Sequence, residues 1–149
     1  MNARDVRVRD VMVTNVITIP SDTSLTEASR VMDSNRLRRL PVVDKGNLVG
    51  IVTKDGLAKA GPSQLTTFSV HELSYLLNKI TVRDVMRKDV LTGTPDMMLK
   101  EAVALGQSKR IGSMVVLEGD KVVGIMTTND IFYKVLNPML GLEGPGSQK

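Results

Sequence analysis

The chain has 149 residues, 42% of them hydrophobic and 24% charged, enough for one globular unit of ordinary domain size. With no Cys it has neither disulfides nor thiolate chemistry, and a cytoplasmic location is the default expectation. The net charge of +4 is mild, aromatics make up only 3%, no apolar run approaches the roughly 18 residues of a membrane span, and the start MNARDVRVRD has no secretory apolar core. Membrane insertion, secretion and a long nucleic-acid footprint are therefore not expected, the few rings leaving little to stack on bases.

In chain order, Val16–Ile19 is a short β-branched run ending at Pro20, which predicts a strand. Ser24 followed by Glu27 forms a capping-box pattern opening a helix with Leu25, Ala28 and Met32 on its apolar face. Leu40–Val43 and Leu48–Val52 flank the turn residues Asp44–Asn47 and predict a hairpin. Gly61, Pro62 and Ser63 break the first copy's last helix, and Ser69 with Glu72 opens a linker helix presenting Val70, Leu73, Leu77 and Ile80. A second hairpin is expected from Met114–Leu117 and Val122–Met126. After it, Thr127–Asp130 begins a helix with Ile131, Val135 and Leu136 inward, ending at Asn137-Pro138.

This order repeats. Sliding the chain by 74 positions lays Val8–Leu57 on Val82–Ile131 without a gap, and 18 of the 50 pairs are identical, beginning with VRDVM at Val8–Met12 and Val82–Met86. Each copy reads β-α-β-β-α. At about 50 residues a copy is too small for a comfortable core of its own, so a pseudo-two-fold pair is expected.

The repeated motifs resemble the tandem CBS-domain pair, also called a Bateman module: VRDVM, Thr18 to Asp22, Arg39 to Asp44, Gly50 to Thr53, and Gly124 to Ile131. The stretch from Pro62 to Ile80 is similar to that of acetoin-utilisation-type CBS proteins, which often continue into an ACT domain that this chain lacks. The resemblance implies an α+β fold with repeat 1 over 1–60, a linker with a helix over 61–79, repeat 2 over 80–137 and a tail over 138–149. It also implies a nonenzymatic regulatory module, commonly homodimeric, that binds an adenine nucleotide or S-adenosylmethionine in the cleft between its repeats and requires no other cofactor. The alternative is a structural dimerisation module with vestigial sites.

The residues have their own chemistry. Thr127 and Asp130 flank a predicted helix start, where free backbone N–H groups favour phosphate and a carboxylate could accept from both hydroxyls of a ribose. The same two residues also suit a plain helix cap. In the first copy Asp130 falls opposite Gly56 and Asn129 opposite Asp55, so the carboxylate is displaced by one residue, about 100° around a helix. The second site is therefore expected to be the tighter. Arg36 and Arg110 are repeat equivalents in basic clusters ahead of each hairpin, and Arg39 and Arg110 are the preferred phosphate ligands. Base-binding walls are expected from Ile17, Thr18, Leu40 and Pro41, or from Leu91, Thr92, Met114 and Val115. The candidate set is completed by Pro20, Thr53, Lys54 and Asp55 in the first site and by Asn129 in the second. Met12 and Met86 read as packing residues. His71 is the single histidine, without a partner for metal ligation, and no nucleophile–base pair can be assembled.

Overall fold

The structure, a computed structural model, describes residues 5–60 and 69–143, the side chain of Leu77 excepted. The break expected at Gly61–Ser63 lies outside the described residues. The elements are α1 (Val8–Val11), α2 (Leu25–Asn35), β1 (Arg39–Asp44), β2 (Asn47–Thr53), α3 (Lys54–Ala60), α4 (Val70–Lys79), β3 (Thr92–Gly93), α5 (Leu99–Lys109), β4 (Ser113–Glu118), β5 (Lys121–Thr127) and α6 (Thr128–Ile131). A π-helical stretch, Phe132–Leu136, leads from α6 into α7 (Asn137–Met139).

The chain forms two compact units that do not coincide with the repeats: a first unit of Ile17–Val90, and a second that joins the residues up to Val16 to those from Leu91 onward. The VRDVM segments are exchanged. Val82 is fully buried in the first unit's core beside Leu25, Met32, Leu40 and Val42, whereas Val8 is fully buried in the second with Leu99, Met114 and Val116. Beyond each segment the chain forms an antiparallel bridge with the other repeat's hairpin. Arg87 and Ile51 exchange two backbone hydrogen bonds of 2.9 Å, and Val13 and Ile125 exchange bonds of 2.8 and 3.0 Å.

The exchange explains Met12, Met86 and two glycines. A Cβ placed on Gly50 would stand 2.6 Å from Met86 Sδ and 2.9 Å from the Arg87 carbonyl oxygen; one on Gly124 would stand 2.6 Å from Met12 Sδ. Each methionine fills the notch that a missing side chain opens beside a strand.

Local chemistry accounts for the elements. Ser24 caps α2 by accepting from the Glu27 N–H at 3.1 Å, and Leu25, Ala28 and Met32 are buried as their spacing predicts. The capping box is incomplete, because the Glu27 carboxylate takes Arg30 at 2.5 and 2.9 Å instead of the Ser24 N–H. The strand expected at Val16–Ile19 shrinks to a single parallel bridge from Ile19 to Val42; Pro20 has no N–H with which to extend it. Its equivalent, β3, pairs through Thr92 and Gly93. The hairpins β1–β2 and β4–β5 carry the same register shift after Val42 and Val116. Lys45 and Gly46 both have positive φ in the first turn, as a two-residue hairpin of primed type requires.

On α4 Val70 is 84% exposed, while Leu73 and, just after the helix, Ile80 are partly buried. Two further expectations are corrected. Pro138 does not end the last helix: the π stretch shifts the ladder, with Asn137 N–H bonded to the Phe132 carbonyl, and Pro138 falls in the first turn of α7, where no donor is needed. Val135 is buried as expected, whereas Leu136 is 37% exposed.

One polar cluster pins the exchanged segment in the first unit. Ser21, 1% exposed, donates its N–H to Asp44 Oδ1 at 2.8 Å and its hydroxyl to Oδ2 at 2.5 Å, while Arg83 Nη2 donates to Ser21 Oγ at 2.8 Å. In the second copy Pro95 and Glu118 replace Ser21 and Asp44, and Arg9 pairs with Asp96 instead. The side-chain and backbone hydrogen bonds from Ser21 hold the Asp44 carboxyl below its ordinary value of 3.8. A depressed folded-state pKa contributes stability that is present above the unfolded pKa and lost as pH falls through the folded one. Wild type should therefore melt above Asp44→Asn at pH 7, and the gap should close as the pH drops below about 4; a gap constant with pH in scanning calorimetry would contradict this.

The two glycine notches differ in what a methyl group meets. At Gly50 a backbone carbonyl is in the way, while at Gly124 the three nearest atoms all belong to the flexible Met12 side chain. Gly50→Ala should cost about 1–3 kcal/mol and Gly124→Ala clearly less, read from denaturant midpoints.

Candidate functional site

In both copies the second hairpin strand ends on a threonine that starts a helix, and here the repeats diverge. Thr127 donates its N–H to Asp130 Oδ2 at 2.8 Å and its hydroxyl to the same oxygen at 3.1 Å. The carboxylate thus folds back on the cap, leaving Oδ1 without a hydrogen bond among the described residues. In the first copy Gly56 stands where Asp130 would, so the carboxylate half of the capping box is lost and the threonine half stays: Gly56 donates its N–H to Thr53 Oγ1 at 2.9 Å. Asp55 is released from capping and accepts from Arg38 at 3.5 Å.

Each unit holds a cavity. The first unit's, about 360 Å³, is lined by Arg38, Arg39, Thr53, Asp55, Lys59 and Arg87, with Ile51, Gly56 and Val85. It draws cations from three places: the start of β1, one face of α3, and the exchanged segment after Met86. The second unit's, about 440 Å³, lies among α5, the start of β4 and α6. Its walls are largely apolar, including Leu91, Val103, Met114, Ile131 and Leu136, and Arg110 is its one charged residue.

The predicted residues divide accordingly. In the first copy Arg39, Thr53 and Asp55 meet at the cationic cavity. Leu40 and Pro41 are fully buried, Ile17 packs against the same core, and Thr18 and Pro20 are exposed away from the cavity lining. The Lys54 ammonium lies 3.7 Å from Asp33 rather than in the cavity. In the second copy Leu91, Arg110 and Met114 line the apolar cavity, whereas Val115 is fully buried and Thr92 and Asn129 are exposed outside it. Thr127 and Asp130 form the adjoining cap without lining the cavity, which takes in Thr128 of the same turn. Arg36 and Arg110 occupy the same left-handed position after α2 and α5, each with φ near 56°.

Sequence reasoning missed Lys59 and Arg87. Lys59 is four residues after Asp55, a spacing that shares a helix face and could have been noticed. Arg87 carries no such signal: its repeat equivalent is Val13, and only the exchange brings it to the first hairpin. Among the described residues no group of His, Asp and Glu could hold a metal ion, and His71 is exposed on α4. No described helix is long and apolar enough to cross a membrane.

Two hairpin-and-helix units built from one repeated motif form a tandem domain pair, and comparison with known proteins gives its family. The CBS-domain family model matches residues 8–63 and 82–137, so the chain belongs to the CBS-domain family. It is similar to the structure of a candidate acetoin utilization protein (AcuB) from Vibrio cholerae: 29% identity, TM-score 0.71, covering 91% of this chain and 93% of that one. It is also similar to the CBS domain pair of protein MJ0100 in complex with 5′-methylthioadenosine and S-adenosyl-L-methionine: 27% identity, TM-score 0.69, covering 91% and 96%. Among curated proteins, homoserine O-acetyltransferase of Methanohalobium evestigatum is 31% identical over 126 residues, 83% of this chain but 23% of that enzyme. The chain thus spans about a quarter of that relative. It covers 81% of the CBS domain-containing protein YhcV of Bacillus subtilis, at 26% identity.

Proposed function

We propose that this chain is a regulatory module that binds an adenosine-containing ligand of the AMP, ADP, ATP or S-adenosylmethionine class and performs no reaction itself. The observation that carries the reading is the likeness, across nearly the whole chain, to a CBS domain pair crystallised with two adenosine compounds. In the second unit the ribose is assigned to Asp130: one carboxylate oxygen holds the Thr127 cap, and the other is open to a sugar hydroxyl. Thr127 and Asp130 are both half-buried beside the exposed start of α6, and Arg110 supplies the cation of the neighbouring cavity. Signalling then requires that the ligand bind two arrangements of the protein unequally, since equal affinity shifts nothing. Phe132, Met139 and Leu140 are 54–69% exposed on the last helical stretch, and a second copy is the proposed cover for them, in keeping with a cytoplasmic homodimer.

The capping role of Asp130 also favours the second reading, a dimerisation module with vestigial sites, and one experiment separates the two. Thermal melts with AMP, ADP, ATP, S-adenosylmethionine and NAD at about 100 times the dissociation constant should show a rise of several degrees for at least one ligand. Asp130→Asn keeps an acceptor for the cap but loses the charge. It should fold with a near-normal melt and weaken calorimetric binding about tenfold or more. Flat melts across the whole panel would leave only the scaffold.

A further inference from the structure

We propose that the cationic cavity of the first unit is a polyphosphate site, so that the ligand taken there is a nucleoside di- or triphosphate rather than a nucleoside sulfonium or an uncharged nucleoside. The inference rests on the adenosine reading for the base and on this chain's own charges for the rest.

Four cationic side chains line the cavity, from Arg38, Arg39, Lys59 and Arg87, against the single carboxylate of Asp55. The local balance is four minus one, a surplus of three positive charges. Asp55 is already shared with Arg38, at 3.5 Å. Arg39, Lys59 and Arg87 have no acidic partner among the described residues, and no carboxylate but Asp55 lines the cavity. Lys54, the other nearby cation, is taken by Asp33.

The cations are held by separate pieces of backbone. Arg39 opens β1 opposite Thr53, Lys59 stands one turn after Asp55 on α3, and Arg87 is fixed to Ile51 by two backbone hydrogen bonds of 2.9 Å. Like charges converging from three segments repel one another, and a multivalent anion relieves that repulsion while accepting several charge-assisted hydrogen bonds. Arginine suits this role because its planar donors match two phosphate oxygens at once. At about 360 Å³ the cavity is within the range of small-molecule sites. A sulfonium would add positive charge to the surplus, and 5′-methylthioadenosine would leave it unmatched. The second unit's cavity has one cation, Arg110, amid apolar walls, so the selectivity belongs to the first unit.

The test is isothermal titration of the whole chain, with the second unit's site weakened by Asp130→Asn throughout, using ATP, ADP, AMP, S-adenosylmethionine, GTP and inorganic tripolyphosphate, on the first unit as wild type and with Arg87→Gln or Lys59→Gln. Neither the Arg87 nor the Lys59 side chain has a hydrogen bond or ion pair among the described residues, so both variants should fold, and thermal melts check that they do. ATP and ADP should bind at least tenfold tighter than S-adenosylmethionine, and each variant should weaken ATP about tenfold or more while changing S-adenosylmethionine little. Raising salt should weaken ATP more than AMP. S-adenosylmethionine binding as tightly as ATP, or variants that bind ATP like the unaltered first unit, overturns the polyphosphate site and leaves the adenosine reading standing. GTP and tripolyphosphate matching ATP, with both variants weakening all three, supports the polyphosphate site while removing adenosine as its selector. No heat from any ligand overturns the polyphosphate site, and no heat with Asp130 restored as well overturns both.

Discussion

The fold depends on an exchange. Each hairpin leaves a glycine notch beside its second strand, and the methionine that fills it comes from the VRDVM segment opening the other repeat. The neighbouring backbone bridges, Arg87 with Ile51 and Val13 with Ile125, add two hydrogen bonds apiece and fix the register of that contact. A single repeat therefore lacks the valine and methionine that complete its own core and carries those belonging to its twin. The fully buried Val8 and Val82 make the same point: neither lies in the unit that holds the hairpin of its own repeat. Tandem duplication is then a structural requirement of each unit, beyond the need to enlarge a small core.

The exchange also sets the charge at the two hairpin–helix junctions. Through it the first cavity acquires Arg87, whereas the equivalent position in the second unit brings Val13 to Ile125. A one-residue shift between Asp55 and Asp130 adds to the difference. With glycine at the capping position, the threonine hydroxyl caps α3 itself and Asp55 is free to face Arg38; with aspartate there, the carboxylate is drawn back to Thr127. The two repeat-equivalent junctions thus differ in charge, with Arg87 at the first where Val13 stands at the second.

How much could be read from the sequence depends on which forces are local. The burial of Leu25, Ala28 and Met32 needs only helical spacing, the Ser24 and Ser69 caps only a side chain within reach of its own helix, and the hairpins only two apolar runs with turn residues between them. All of these were legible. The cavity linings are legible in part: Arg39, Thr53 and Asp55 sit on the repeated motifs, as do Arg110 and Met114 in the other unit. Arg87 was hidden because aligning the repeats pairs equivalent residues, while the contacts run crosswise between non-equivalent ones. Pro138 misled because a π turn moves it into a position that tolerates proline, an adjustment no local pattern announces.

Under the proposed function, Asp130 is the point at which binding and fold meet in the second unit. Its carboxylate orders the start of α6, and that helix continues without a break through the π stretch, where Val135 is buried and the Lys134 ammonium donates to the Val11 carbonyl at 2.8 Å. Val11 belongs to the exchanged segment, next to the methionine that fills the Gly124 notch. A sugar hydroxyl competing for the Asp130 carboxylate would act on the cap, and through one continuous helix on the carbonyl that Lys134 holds. The first unit has no such arrangement: α3 is capped by Thr53, and a ligand there would meet side-chain cations without disturbing the helix start. Under the proposed function, then, the first unit's contribution is charge matching, while the second couples its ligand to the segment that ties the repeats into their units.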